Sequence, residues 1–206
     1  MRLEGDNARL VLADATHADV LRGWFNDEDT LRQIAILGMP ASSKWEREYI
    51  DSNGSEDHVL FMIDVVEHGL IGVCGLHAIN FAERTARTVT IIGEAGFRGN
   101  GIGTLARRRI LGFAFGELDI ARVSGSALAC NGPAISLLRK TSDRIEGFRH
   151  EAVLKQGHRH DVVDFGTLNP GMRWRADAPK LEALLVDCSC IRMELKHTDE
   201  NAAART

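Results

Sequence analysis

TVTIIGEAGFRGNGIGTLARRRILGFAFGEL, residues 88–118, is the stretch that decides the fold. Its first six residues (TVTIIG, 88–93) are apolar and β-branched and predict a strand. From Thr104 to Glu117 the period changes. Leu105, Ile110, Leu111, Ala114, Phe115 and Leu118 recur at the spacing of a buried helix face. Between them lies RGNGIG (98–103). Gly99, Gly101 and Gly103 allow positive φ and close approach of the backbone to a ligand. The helix N-terminus that follows aims unpaired N–H groups and a positive dipole end into this loop. Such a loop suits a pyrophosphate, with Arg98 adding a charge-assisted contact. No Walker lysine follows it, and its glycines sit two apart, so it fits neither a P-loop nor the dinucleotide fingerprint. A glycine-rich turn without ligand is the alternative on these residues alone.

Working outward, residues 8–12 (ARLVL) predict a first strand, and residues 17–26 a helix on which Val20, Leu21, Trp24 and Phe25 share a face. Asp27, Glu28 and Asp29 are expected to end that helix in a solvated acidic turn. A second helix is expected over residues 43–50. Residues 58–66, 70–78 and 88–93, joined by short turns, predict an antiparallel meander. After the central helix come a strand at 121–127, a turn at Asn131-Gly132-Pro133 and a short helix at 134–140. Two late strands are expected at 149–154 and 161–168. Composition shifts after residue 172, so residues 1–172 read as the folded domain. Residues 173–206 read as an appendage whose apolar part (181–195) could pack on its own domain or pair two copies.

The 206 residues suit roughly one domain. A hydrophobic content of 44% supplies a core, and a net charge of −4 argues against nucleic acid as a partner. The 20 arginines against 5 lysines reflect composition bias, with anion binding as a lesser reading. The four cysteines form no CxxC pair, so no metal is expected, and Cys130 is taken as a small buried residue. No leader peptide and no apolar run near ~18 residues is evident, which predicts a cytoplasmic protein without a membrane partner.

The motif RGNGIG resembles the [Q/R]-x-x-G-x-[G/A] acetyl-CoA motif of the GNAT superfamily of N-acetyltransferases. The resemblance extends to Thr104-Leu105-Ala106 at the helix start, Arg122-Val123 at the next strand and Asn131 after it. Trp24-Phe25-Asn26-Asp27, Gly147-Phe148 and the stretch from His158 to Asp161 are similar to the RimJ/RimL-like branch. It spans residues 8–168. It implies a mixed α/β (α+β) fold with a bent, mostly antiparallel sheet of six to seven strands flanked by helices. It further implies that acetyl-CoA enters a V-shaped opening between the strands at 88–93 and 121–127. The pantetheine arm would pair with Thr90, Ile91 and Ile92. The pyrophosphate would sit on Gly99, Asn100, Gly101, Ile102, Gly103 and Thr104, and Asn131 would bond the arm.

The implied chemistry is direct attack of a primary amine on the thioester carbonyl. It needs a base for the amine, donors for the oxyanion (N–H groups near Ile92) and a proton for the leaving thiolate. The family's tyrosine, seven residues after the asparagine, is here Leu138, and the chain's single tyrosine is Tyr49. Ser136 or a solvent molecule is the substitute acid. Glu94 is the candidate base, or else a solvated turn carboxylate. Asp27 and Glu28 are candidates to hold a cationic acceptor, or else a solvated turn. His77 is a possible relay or a structural residue. Arg107-Arg108-Arg109 read as a solvated face, with contact to the 3′-phosphate of CoA as the lesser reading. Residues 141–146 form an insertion, either reshaping the acceptor pocket or lying on the surface. The expected acceptor is a small-molecule amine such as an aminosugar, polyamine or antibiotic, which the mildly acidic charge slightly favours, or a protein N-terminus. A catalytically silent acyl-CoA-binding module is the alternative.

Overall fold

The structure is a computed structural model that describes residues 8–34, 53, 57–141 and 144–171. The chain divides into two compact units, Met1–Asn169 and Pro170–Thr206, and the first is described here. The helix expected at 43–50, Trp45, Tyr49 and the appendage at 173–206 lie outside the described residues.

The element order is β1 (Ala8–Leu12), a 3-10 turn (Ala15–His17), α1 (Ala18–Asn26), α2 (Glu28–Gln33), β2 (His58–Val65), β3 (Gly69–Asn80) and β4 (Thr85–Ile92). After a second 3-10 turn (Ala95–Phe97) come α3 (Ile102–Gly116), β5 (Arg122–Leu128), α4 (Gly132–Lys140), β6 (Arg144–Lys155) and β7 (His158–Leu168). The strands form one seven-stranded sheet in the order β1-β2-β3-β4-β5-β7-β6. Five of its pairings are antiparallel and β4–β5 is parallel.

The sheet is covered on both faces because its central strands are apolar on both sides. On one face α3 buries Ala106, Ile110 and Ala114 against Ile63, Leu76, Ala86 and Val123. On the other, α1 buries Leu21 and Trp24 against Leu60, Met62, Val73 and Ile91. Leu60 and Met62 on β2, and Val73 and Ile91 opposite them, point to the α1 side by strand alternation. Gly93 lets Trp24 lie on the sheet, since a Cβ there would stand 2.2 Å from the indole ring. At nine residues α1 is too short to stand alone, so this packing holds it.

Several expectations are corrected. The acidic turn at 27–29 is the start of α2: Asp27 caps it, accepting from Thr30 N (2.8 Å) and Thr30 Oγ1 (2.9 Å). The late strand expected at 149–154 begins at Arg144. Residues 144–146 of the insertion therefore extend β6, with Arg144 opposite Gly166 and Glu146 forked onto Arg122. Arg107 is not on a solvated face but 1% exposed, with its Nε bonded to Thr141 Oγ1 at 3.1 Å. Arg108 and Arg109 are exposed. Cys130 is exposed rather than buried, because it sits at the turn before α4.

Gly75 on β3 admits no side chain: a Cβ would stand 2.2 Å from Val59 O and 2.9 Å from Leu60 Cα. Gly75→Ala is therefore expected to destabilise the fold by about 1–3 kcal/mol, measured as a loss of unfolding free energy in urea.

Candidate active site

Strands β4 and β5 pair only through Thr85–Arg122, Ala86–Val123 and Arg87–Ser124. Beyond that point β4 from Thr88 to Ile92 bonds to β3 alone, and β5 from Gly125 to Leu128 bonds to β7 alone. Two strand edges thus diverge, each with backbone groups available for an extended partner. A cleft of about 1060 Å³ runs through this opening. On the α3/α4 side its wall includes Thr88, Thr90, Gly125, Leu137 and Leu138. On the α1/α2 side it includes Phe25, Gln33, His77, Arg87, Arg149 and Asp164.

The mouth of the opening on the β4 side ends in the glycine loop. Gly99 has φ +80° and Gly101 φ +90°, and Gly101 is the N-cap of α3. Only glycine takes these angles without strain. Gly101 supplies no side-chain cap. Within the loop, Asn100 Oδ1 accepts from Ile102 N at 3.3 Å, and Thr104 N turns back to Gly101 O at 3.0 Å. Gly103 is buried against Ile92 and Leu137, where a Cβ would meet Leu137 Cδ1 at 3.2 Å. The loop therefore lies directly over the end of β4 and beside α4.

Arg98 is directed inward. Its Nε donates to Ile92 O (3.0 Å), and Nη2 donates to Gly93 O (2.9 Å) and Thr30 Oγ1 (3.0 Å), with Asp27 Oδ2 3.9 Å away. It ties the end of β4 to the start of α2. Asn131 is likewise engaged: Oδ1 caps α4 by accepting from Ala134 N (3.0 Å), and Nδ2 donates to Gln33 O (2.7 Å). Lys155 from β6 donates to Leu31 O. A six-residue helix has no stability of its own. Its end carbonyls are held by Asn131 and Lys155, which fixes Gln33 and Ile34 on the cleft wall.

The remaining candidates separate. Glu94 Oε1 accepts from Trp24 Nε1 at 2.9 Å; the residue is exposed and does not line the cleft. Asp27 and Glu28 are exposed outside the cleft, with Glu28 paired to Arg32. The Thr30 backbone N–H and hydroxyl hold the Asp27 carboxyl below its ordinary range, against a smaller effect of burial, and Arg98 adds to the lowering. Ser136 also stands apart from the cleft. It sits on the outer face of α4, exposed beside Ala129, Ile135 and Arg139, because helical spacing turns Leu137 and Leu138 inward instead.

Residue-by-residue reading had no means of finding the cleft's polar bank, because it is assembled from four strands. Arg87 Nη2 donates to Ser126 Oγ (3.0 Å), which donates to Asp164 Oδ1 (2.7 Å). Arg149 forks onto Asp164 (2.7 and 3.0 Å). Burial raises the Asp164 carboxyl, but the bonds from Arg149 and Ser126 with the charges of Arg149 and Arg87 outweigh it, leaving it below its usual value. His77 lies opposite Arg87 across β3–β4. Burial first, then the charges of Arg87 and His58, push its imidazole below the ordinary 6.5, so it is neutral at pH 7.

The Acetyltransferase (GNAT) domain family matches residues 9–141, and the chain belongs to that family. A Bacillus subtilis protein named "Putative ribosomal N-acetyltransferase YdaF" is 30% identical over 140 residues, 68% of this chain and 70% of that protein. A SPbeta prophage-derived uncharacterized N-acetyltransferase, YokL, of the same organism is 24% identical over 140 residues, 68% of this chain and 78% of its own length. Among solved structures, spermidine N-acetyltransferase from Vibrio cholerae in complex with CoA and spermine superposes with a TM-score of 0.72. Its identity is 20%, and the match covers 79% of this chain and 96% of that one. The fold is thus that of the family.

A lowered imidazole value means that the unfolded chain takes up this proton more readily than the folded one. Stability is therefore expected to fall as pH drops below about 6.5, the ordinary histidine value. His77→Gln is expected to flatten that decline, read as melting temperature between roughly pH 8 and pH 5.

Proposed function

We propose that this chain transfers the acetyl group of acetyl-CoA directly to a primary amine. Acetyl-CoA is the acyl donor that membership of the family carries. The observation that supports the reading is the open edge of β4 from Thr88 to Ile92, running from a positive-φ glycine loop into a cleft that crosses the sheet. Backbone groups of Thr90, Ile91 and Ile92 would pair with the pantetheine arm. N–H groups of residues 99–104 would take the pyrophosphate at the start of α3. Arg98 and Asn131 would act from behind this surface, as a brace for β4 and a cap for α4.

The acceptor would enter from the α1/α2 side. The amine nitrogen attacks the carbonyl carbon, the C–S bond breaks, and the proton lost by nitrogen ends on sulfur. Glu94 remains a proposed base, and His77, neutral and on the cleft wall, is favoured by position. Glu146 and Asp164 are each forked by an arginine, which supports a single-amine acceptor over a polycation. A protein N-terminus is the other acceptor, in line with the ribosomal description of the 30% identical relative. A cytoplasmic setting and a homodimer complete the reading, and light scattering on the full chain tests the pairing.

Acetyl-CoA is expected to raise the melting temperature, since it binds the folded state selectively. Thiol release with a panel of monoamines, spermidine and peptides then identifies the acceptor. No thermal shift with either CoA or acetyl-CoA would overturn the proposal. Shift without turnover of any amine would favour a silent acyl-CoA-binding module. A left-handed position costs a non-glycine residue about 1–2 kcal/mol. Gly101→Ala is therefore expected to lower unfolding free energy by that much and to raise the KM for acetyl-CoA. Comparing pH profiles of kcat/KM for Glu94→Gln and His77→Gln assigns the base, which is the residue whose loss removes the acidic limb.

A further inference from the structure

Among the described residues three buried side-chain oxygens have no hydrogen-bond partner: Thr88 Oγ1, Thr90 Oγ1 and Thr167 Oγ1. Two of the three lie on β4, two residues apart, and both line the cleft. Residues i and i+2 of a strand share a face at a separation of about 6.6 Å. A buried hydroxyl without a partner destabilises a fold, and valine would fill the same space without that cost. Something other than stability therefore accounts for a threonine at each place.

The face they share is the α3/α4 face. The nearest neighbours of a Cβ built on Gly125 are Leu138 Cδ2 and Thr88 Cγ2, both at 3.5 Å. Thr88 and Leu138 thus flank Gly125 on this face, and Leu138 is the position at which the family resemblance expects a proton-donating tyrosine. Leu138 has no polar side-chain atom to offer. Thr88 is also the first β4 residue beyond the closed apex, where Arg87 still pairs with Ser124. An arm that starts at the glycine loop and follows the open edge of β4 runs four residues, about 13 Å. It can run no further than the apex, because beyond it the two strands are bonded to each other.

We propose that the Thr88 hydroxyl donates a hydrogen bond to the sulfur that leaves, and that the Thr90 hydroxyl bonds an amide of the arm behind it. This rests on the acetyl-CoA reading above. As the N–C bond forms and the C–S bond breaks, the electron pair goes to sulfur, and the proton released by the amine ends there. The Thr88 O–H faces that charge as it develops, so it acts on the transition state more than on the bound thioester. Thr88 is then a catalytic residue and Thr90 a binding one.

The test uses the full chain with Thr88→Val, Thr88→Ser and Thr90→Val. Unliganded Thr88→Val is expected to melt higher than wild type, because an unpaired buried hydroxyl has been removed. Its kcat is expected to fall about tenfold to a hundredfold, the equivalent of a lost hydrogen bond to a charged group, with KM for acetyl-CoA unchanged. Calorimetry with CoA and desulfo-CoA supplies a readout apart from turnover. Wild type is expected to prefer CoA increasingly as pH rises and the thiolate forms. Thr88→Val is expected to lose that preference, and Thr88→Ser to restore both it and kcat. Thr90→Val is expected to weaken CoA and desulfo-CoA equally. Thr88→Val with wild-type kcat and the wild-type preference would overturn this proposal alone. Absence of CoA binding in wild type would overturn the acetyl-CoA reading and this proposal with it.

Discussion

Three residue pairs hold β4 against β5, and then the strands part. The rest of the molecule depends on that short parallel contact. Were the pairing to continue past Arg87 and Ser124, the edges of Thr88–Ile92 and Gly125–Leu128 would satisfy each other, and the cleft would close. The strands diverge because different partners hold them. β4 is bonded to β3 on its far side and anchored by Arg98 at its end. β5 is bonded along its full length to β7. Hydrogen-bonding groups are left open on both edges, and the glycine loop sits where β4 ends.

Charges in the site mostly serve position. Arg98 donates to two carbonyls at the end of β4 and to Thr30, and Arg107 is buried among α3, α4 and β5. The acidic residues of the cleft are held by Arg122 and Arg149. Pairing of this kind fixes side chains without leaving a large net charge in the cleft. The cleft wall also carries uncharged polar groups: the imidazole of His77 and the hydroxyl-bearing Thr88 and Thr90. A site of that character suits a reaction whose reactants are a neutral amine and a thioester.

Most of the fold was legible in the sequence because its elements announce themselves locally. The meander, the glycine loop, α3 and the turn before α4 each rest on period, capping or turn residues within a few positions. Other readings depended on which way a side chain turns. Ser136 was offered as a substitute for the acid that Leu138 lacks, yet helical rotation turns it to solvent while Leu137 and Leu138 face the cleft. Arg107 looked like one of three solvated arginines, but α3 curls that single position into the core. Asp27 looked like a terminator and is an N-cap, since both roles favour the same residue.

By itself the sequence determined the strand–loop–helix unit and the positive-φ glycine loop at its centre, because φ > 0 at glycine and a helix N-terminus are local facts. It also determined the family, through that motif and its ordered neighbours. Tertiary structure decided which hydroxyl, imidazole and arginine share a cleft. His77, Arg87, Ser126, Asp164 and Arg149 come from five strands, and no spacing in the chain encodes their meeting. It also decided that Thr88 and Thr90 are buried without partners, since that depends on where β5 stops bonding to β4 and on what α3 and α4 place over the gap.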